Sequence, residues 1–112
     1  QDSGIGTILL NELEIEVPVF NAKIGSRATA SIRASDIIIS NHPPAGLSAR
    51  NVLKGTVKEI VDSTSRPVIY VDVGILIIVE ITSRSLAELG IELGSEVHLI
   101  IKANSIGVAE IN

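Results

Sequence analysis

"ILIIVEITSRSLAELG", residues 75–90, holds two periodicities in one short run. From Ile75 to Ile81 the odd positions are Ile, Ile, Val and Ile, and a period of two marks a strand with one face on a core. The even positions are Leu76, Ile78 and Glu80, so the other face is also partly apolar. At Thr82 the pattern changes. A hydroxyl residue opens the segment, Leu86 and Leu89 stand three apart, and Gly90 closes it, which predicts a short helix. Within it Ser85-Leu86-Ala87-Glu88 has the form of a capping box.

Outward from this run, strand-like segments lie near residues 52–61, 67–74, 75–82, 95–103 and 106–111. Five strands with one helix between the third and fourth is the element order of an OB-type barrel. Upstream, Leu13 to Val17 alternates apolar and acidic residues, and Ile8 to Leu10 precede it across Asn11-Glu12, which predicts a hairpin. Ala28, Ala30 and Ile32 mark one face of a further strand, and Ile37 to Ile39 is a short apolar run expected to be covered on both sides. "SNHPPAG", residues 40–46, reads as a connector, because proline fixes φ, removes a donor and extends its predecessor. The expected fold is therefore all-β: an OB-type five-stranded barrel with one short helix over residues 47–112, preceded by a small β lobe over residues 1–46. In Val97 to Ile101 the odd positions look internal, leaving His98, Ile100 and Lys102 outward. An outward face carrying Leu76, Ile78 and Ile100 calls for a partner, either the upstream lobe or a second chain, and we expect a two-fold homodimer, the commonest oligomer.

Bulk properties narrow the function. The 112 residues are 46% hydrophobic but only 2% aromatic, so the core is built from Ile, Val and Leu. The net charge of −4 and the scarcity of aromatic residues disfavour an OB-type nucleic-acid binder, which stacks bases within a basic groove. There is no cysteine, which excludes disulfides and thiolate metal sites. His42 and His98 have no ligand-spaced partner, so no metal-cation site is expected. No apolar run reaches the roughly 18 to 20 residues of a membrane span, so direct membrane insertion is not expected. The chain begins at Gln1 and lacks methionine, and we expect a piece of a longer polypeptide or a processed chain. It has no Gly-x-x-x-x-Gly-Lys-Ser/Thr loop and no Ser-His-Asp set, so neither an ATP site nor an enzyme is expected in this chain.

Three stretches are rich in donors and free of Asp and Glu: Ser48-Ala49-Arg50-Asn51, Thr82-Ser83-Arg84-Ser85 and Lys102-Ala103-Asn104-Ser105. Hydroxyls, backbone N–H groups, a guanidinium and an ammonium suit a small, fully deprotonated oxyanion. The helix start near Thr82 adds free N–H groups and the positive end of its dipole. Phosphate at neutral pH keeps a proton, which an all-donor site leaves unbonded. Molybdate, tungstate and sulfate carry none. Each stretch alone has a plainer reading: Thr82 and Ser85 as helix caps, Arg50 as a surface charge or the partner of an acid such as Asp62, Lys102 as a surface lysine.

"LSARNVLKGTV" (47–57), "EITSRSLAELGIELGSEV" (80–97) and "LIIKANSI" (99–106) together resemble the molybdenum-binding TOBE domain, the molbindin type of OB module. "IRASDIIISNHPPAGLSARNVL" (32–53) is similar to the approach to that domain in the ATP-binding subunit of molybdate or tungstate ABC transporters. The resemblance implies oxyanion sites at a dimer interface, with Ser48 and Arg50 from one chain and Thr82, Ser85, Lys102 and the backbone of Ala103 from the other. Asn51, Asn104 and Ser105 are further candidate contacts. It also implies a cytoplasmic regulatory region whose parent protein would be a transport ATPase working with membrane subunits. An intracellular molybdate or tungstate storage protein is the alternative; residues 1–46 favour the regulatory role, since storage modules are built from the TOBE unit alone.

Overall fold

In a computed structural model of the chain, the described residues are 5–10, 13–18, 28–48, 51–62 and 66–110. Nine strands and one α-helix occur among them, in the order β1 (Ile5–Leu10), β2 (Leu13–Pro18), β3 (Ala28–Ser31), β4 (Ile38–Ser40), β5 (Asn51–Val61), β6 (Val68–Asp72), β7 (Leu76–Glu80), α1 (Ser83–Leu89), β8 (Glu96–Ile101) and β9 (Gly107–Glu110). Two short 3-10 turns, Ala34–Asp36 and Ala103–Ser105, join β3 to β4 and β8 to β9. β1 and β2 form the expected hairpin, with Leu10 opposite Leu13; its turn residues Asn11 and Glu12 lie outside the described residues.

The main sheet has five antiparallel strands in the order β4-β8-β5-β6-β7. All-β with one short helix after the third barrel strand is as expected. The fifth strand is not: the 106–111 segment, expected to complete the barrel, pairs as β9 with β3 in a separate two-stranded sheet, and β4 takes the place beside β8. Hydrogen bonding therefore crosses the expected division at residue 46 twice.

Period-two burial builds the core. In β5, Leu53, Gly55 and Val57 point inward while Val52, Lys54 and Lys58 are exposed. Val57, Ile69, Val71, Val79, Val97 and Leu99 are no more than 1% exposed, and Ile37, Ile39, Ile91 and Ile106 close over them. Each such aliphatic side chain contributes about 1.5 to 3 kcal/mol by leaving water. The Ile37 to Ile39 run is covered on one side only: Ile37 and Ile39 are buried, but Ile38 is 57% exposed. Ile100, expected on the outer face, finds its cover in the upstream lobe. It is buried at 8% because its register neighbours on β4 and β5, Ile38 and Val52, flank it on the same face. Leu76 and Ile78 remain outward at 58% and 46% exposed.

β6 and β7 meet in a tight turn. The Asp72 carboxylate accepts the Gly74 N–H at 2.9 Å, and Gly74 has φ +110°, which only glycine adopts without strain. Gly55 is required for a different reason. A Cβ there would stand 2.6 Å from Val73 Cγ1, 2.7 Å from the Asp72 carbonyl oxygen and 2.8 Å from Val71 Cγ1. The second of these clashes is with backbone, which cannot rotate away. Gly55→Ala should therefore destabilise the chain by about 1 to 3 kcal/mol, the usual penalty of overpacking. Urea unfolding of the two proteins measures it, and equal midpoints would contradict the packing described.

Candidate oxyanion site

The register between β5 and β8 decides where the donor stretches sit. It runs from Thr56 opposite Glu96 to Asn51 opposite Ile101. β5 thus begins where β8 ends, so the approach from Ser48 and the exit into Lys102-Ala103 share one end of the sheet. Asn51 is buried at 4% exposure and its side-chain amide donates to the Ile101 carbonyl at 3.4 Å. That places Asn51 as a brace for the backbone directly before Lys102. Ser48, Lys102 and Asn104 are exposed, Ser105 is half-buried, and the Ala103 side chain is buried. Lys102 leads into the second 3-10 turn in an extended conformation, with the Ser105 N–H donating to its carbonyl at 2.9 Å. Arg50, with Ala49, lies outside the described residues.

Thr82 and Ser85 stand elsewhere. Thr82 is the N-cap of α1: the Ser85 N–H donates to Thr82 Oγ1 at 3.0 Å, and the Thr82 hydroxyl donates to Ser85 Oγ at 3.0 Å. Of the two hydroxyl residues read as caps, Thr82 is the one observed, three residues upstream of the Ser85–Glu88 box. Thr82 wins because its extended backbone (φ −80°, ψ 155°) turns the hydroxyl over the first helical turn. The helix ends at Gly90 in the left-handed conformation, φ 65°. Arg84 is answered by Glu88 one turn on, at 3.0 Å. Its charge is already matched.

The two groups do not meet within one chain. Val61 pairs with Val68, and the Ile81 N–H donates to the Pro67 carbonyl at 3.2 Å, so Thr82 follows the Val61 end of β5. Lys102 follows the Asn51 end. The eleven residues of β5 run between them, roughly 3.3 Å each along the strand. One chain therefore presents two half-sets of donors: Ser48, Asn51, Lys102 and Ala103 at one end, Thr82 and Ser85 at the other.

Two features escaped the sequence reading. Asn41, just after β4, donates from its side chain to the Leu89 carbonyl at 3.0 Å, tying the connector to the end of α1. No local signal marks a bond spanning 48 residues. A groove of about 460 Å³ lies between the β3 region and β7, with Ile101 and Ile106 at its floor. Its lining is almost wholly aliphatic, so it offers a dianion little to bond. Among the described residues no group of three or more His, Cys, Asp or Glu is placed to hold a metal ion.

Comparison with known proteins agrees with the fold. The family described as TOBE domain matches residues 47–108, and the chain belongs to that family. The molybdenum import ATP-binding protein ModC of Mesorhizobium japonicum is 32% identical over 109 residues, covering 93% of this chain and 29% of that protein. ModC of Pasteurella multocida is 31% identical over 98 residues, covering 87% of this chain and 28% of its own length. The chain spans less than a third of the length of these curated relatives. Among solved structures, the cytoplasmic molybdate-binding protein ModG with molybdate bound superposes with a TM-score of 0.77 at 24% identity, covering 86% of this chain and 75% of that one. At that identity the likeness establishes the OB-type fold.

The cap geometry has a direct consequence. Thr82→Ala removes the acceptor of the Ser85 N–H and should lower stability by about 1 kcal/mol in the absence of any anion, while Thr82→Ser retains it. Denaturant titration of the three proteins reads the difference; an unchanged alanine variant would mean that the hydroxyl does not hold the helix start.

Proposed function

We propose that this chain is the oxyanion-sensing regulatory region of the ATP-binding subunit of a molybdate or tungstate ABC transporter, acting at the cytoplasmic side of the membrane. The observation that carries the reading is the division of a carboxylate-free donor set into two half-sets at opposite ends of β5. Neither half encloses a tetrahedral dianion by itself. Two copies related by a two-fold axis bring the Ser48–Lys102 end of each against the Thr82–Ser85 end of the other, and so complete two equivalent pockets. Arg50 belongs to the first half-set by its place in the Ser-Ala-Arg-Asn stretch. Leu76 and Ile78, outward and apolar, supply surface for such an association.

The chemistry selects the ligand. Hydroxyls oriented by a cap, backbone N–H groups, Lys102 and Arg50 all donate, so the best-matched anion is one with no proton to place. Molybdate and tungstate meet this condition at neutral pH, as does sulfate, from which cavity size would have to separate them; hydrogenphosphate leaves its O–H unbonded at a cost of about 1 to 3 kcal/mol. The chain contributes binding and no catalysis. Any ATP hydrolysis belongs to the remainder of a longer parent protein, through which the chain would meet the membrane subunits. The likeness to the ModC proteins extends through the upstream segment as well as the TOBE unit, which favours regulation over storage of the anion.

Two measurements test the reading. Molybdate or tungstate at about 100 times Kd should stabilise the folded chain by about 2.7 kcal/mol, with equal phosphate giving far less; a melting series that does not separate these anions would end the proposal. Arg50→Ala and Lys102→Ala should each weaken molybdate binding by about 1.5 to 3 kcal/mol, the usual size for a hydrogen bond to a charged group. Calorimetry that finds the original affinity in both variants would place the site elsewhere.

A further inference from the structure

The chain contains the same strand–turn–strand unit twice. Ile32-Arg33-Ala34-Ser35-Asp36-Ile37-Ile38-Ile39 aligns with Ile101-Lys102-Ala103-Asn104-Ser105-Ile106-Gly107-Val108. The backbones agree closely. Arg33 has φ −76° and ψ 135° where Lys102 has −73° and 137°, and Ile37 has −92° and 129° where Ile106 has −99° and 122°. The Asp36 N–H donates to the Arg33 carbonyl and the Ser105 N–H to the Lys102 carbonyl, both at 2.9 Å. Ile37 and Ile106 are both buried, and Arg33 and Lys102 are both exposed.

The pairing obeys the same symmetry. β3 and β4 do not pair with each other, nor do β8 and β9. Each unit instead lends its second strand to the first strand of the other. Ala30 stands opposite Val108, and replacing each residue by its counterpart gives Leu99 opposite Ile39, which is also observed. Ser31 opposite Gly107 becomes Ile100 opposite Ile38 in the same way. This is a two-fold interlock inside one chain, and Ile37, Ile39, Leu99, Ile101 and Ile106 share one buried cluster at its centre.

We propose that this interlock is a conformational device that ties the Lys102-Ala103 turn to the upstream half of the chain. The inference rests on the reading of that turn as part of the oxyanion site. β8 enters the turn and β9 leaves it; β8 holds β4, and β9 is the only described partner of β3. A two-stranded sheet such as β3–β9 is marginal by itself in water, so its order depends on the units it joins. The two units open and close together, and an anion that binds only the ordered turn holds β3 and β4 in place although neither carries a ligand.

Native-state hydrogen exchange on the whole chain tests this in two arms. Without anion and across sub-denaturing urea, the amides of residues 28–31, 38–40, 99–101 and 107–110 should show one opening free energy and one urea dependence. Separate opening of β3–β9 and β4–β8 overturns the interlock. With molybdate at about 100 times Kd, exchange in all four segments should slow by about 100-fold; protection confined to residues 48–51, 82–85 and 102–105 overturns the coupling. Absence of any molybdate binding in the calorimeter rejects the functional reading and the anion arm with it, while the urea arm still decides the interlock.

Discussion

The antiparallel register of β5 on β8 is the constraint on which the rest depends. With Asn51 opposite Ile101, the start of one strand and the end of the other coincide, and two stretches separated by half the chain become neighbours. A slip by one residue would turn Leu53, Val57, Val97 and Leu99 out of the core, so the aliphatic interior enforces the register strongly. The buried Asn51 amide bonded to the Ile101 carbonyl fixes the same point by a directional contact. Core packing and site placement are thus one event.

The same register separates what it does not join. Thr82 follows the far end of the β5–β6–β7 meander, where its hydroxyl is held by the Ser85 N–H. Capping and anion binding are compatible there, because a capping oxygen orients the hydroxyls and helix-end N–H groups that a ligand would meet. Lys54 and Arg84 carry charge on the surface but are paired with Glu96 and Glu88 at 3.1 and 3.0 Å. Such exposed pairs contribute little stability, yet they remove two cations from competition for an anion. Lys102 and the Ser48-Ala49-Arg50-Asn51 stretch form the cationic side of the proposed pocket.

The exchange of β4 and β9 gives this arrangement its mechanical character. The strand expected to complete the barrel is spent on β3, and the strand from before the Pro43-Pro44 connector takes the place beside β8 instead. Ile38 and Val52 then shield Ile100, an apolar residue that the sequence pattern left without cover. A TOBE unit cut at residue 47 would lack an edge strand, and the upstream segment cut there would lack its partner for β3. The two parts depend on each other for backbone hydrogen bonds, which is the physical basis for expecting a perturbation in one to be felt in the other.

Much of this was legible in the residues. Period-two runs such as Ile75–Ile81 placed the strands within a residue or two, and Thr82 and Gly90 bounded the helix. The repeated Ile-Arg/Lys-Ala unit was also written there and went unread, because its two copies differ at most positions outside the isoleucines and the alanine. What the sequence by itself determined is local: alternation, capping and turn chemistry depend on neighbours along the chain. Only the tertiary structure decided that β4 rather than β9 lies beside β8, that Ile100 is covered within the chain, and that the donor stretches form two groups. Strand partners are chosen by backbone hydrogen bonds, which every residue but proline can make alike, so side-chain letters alone do not distinguish one edge from another.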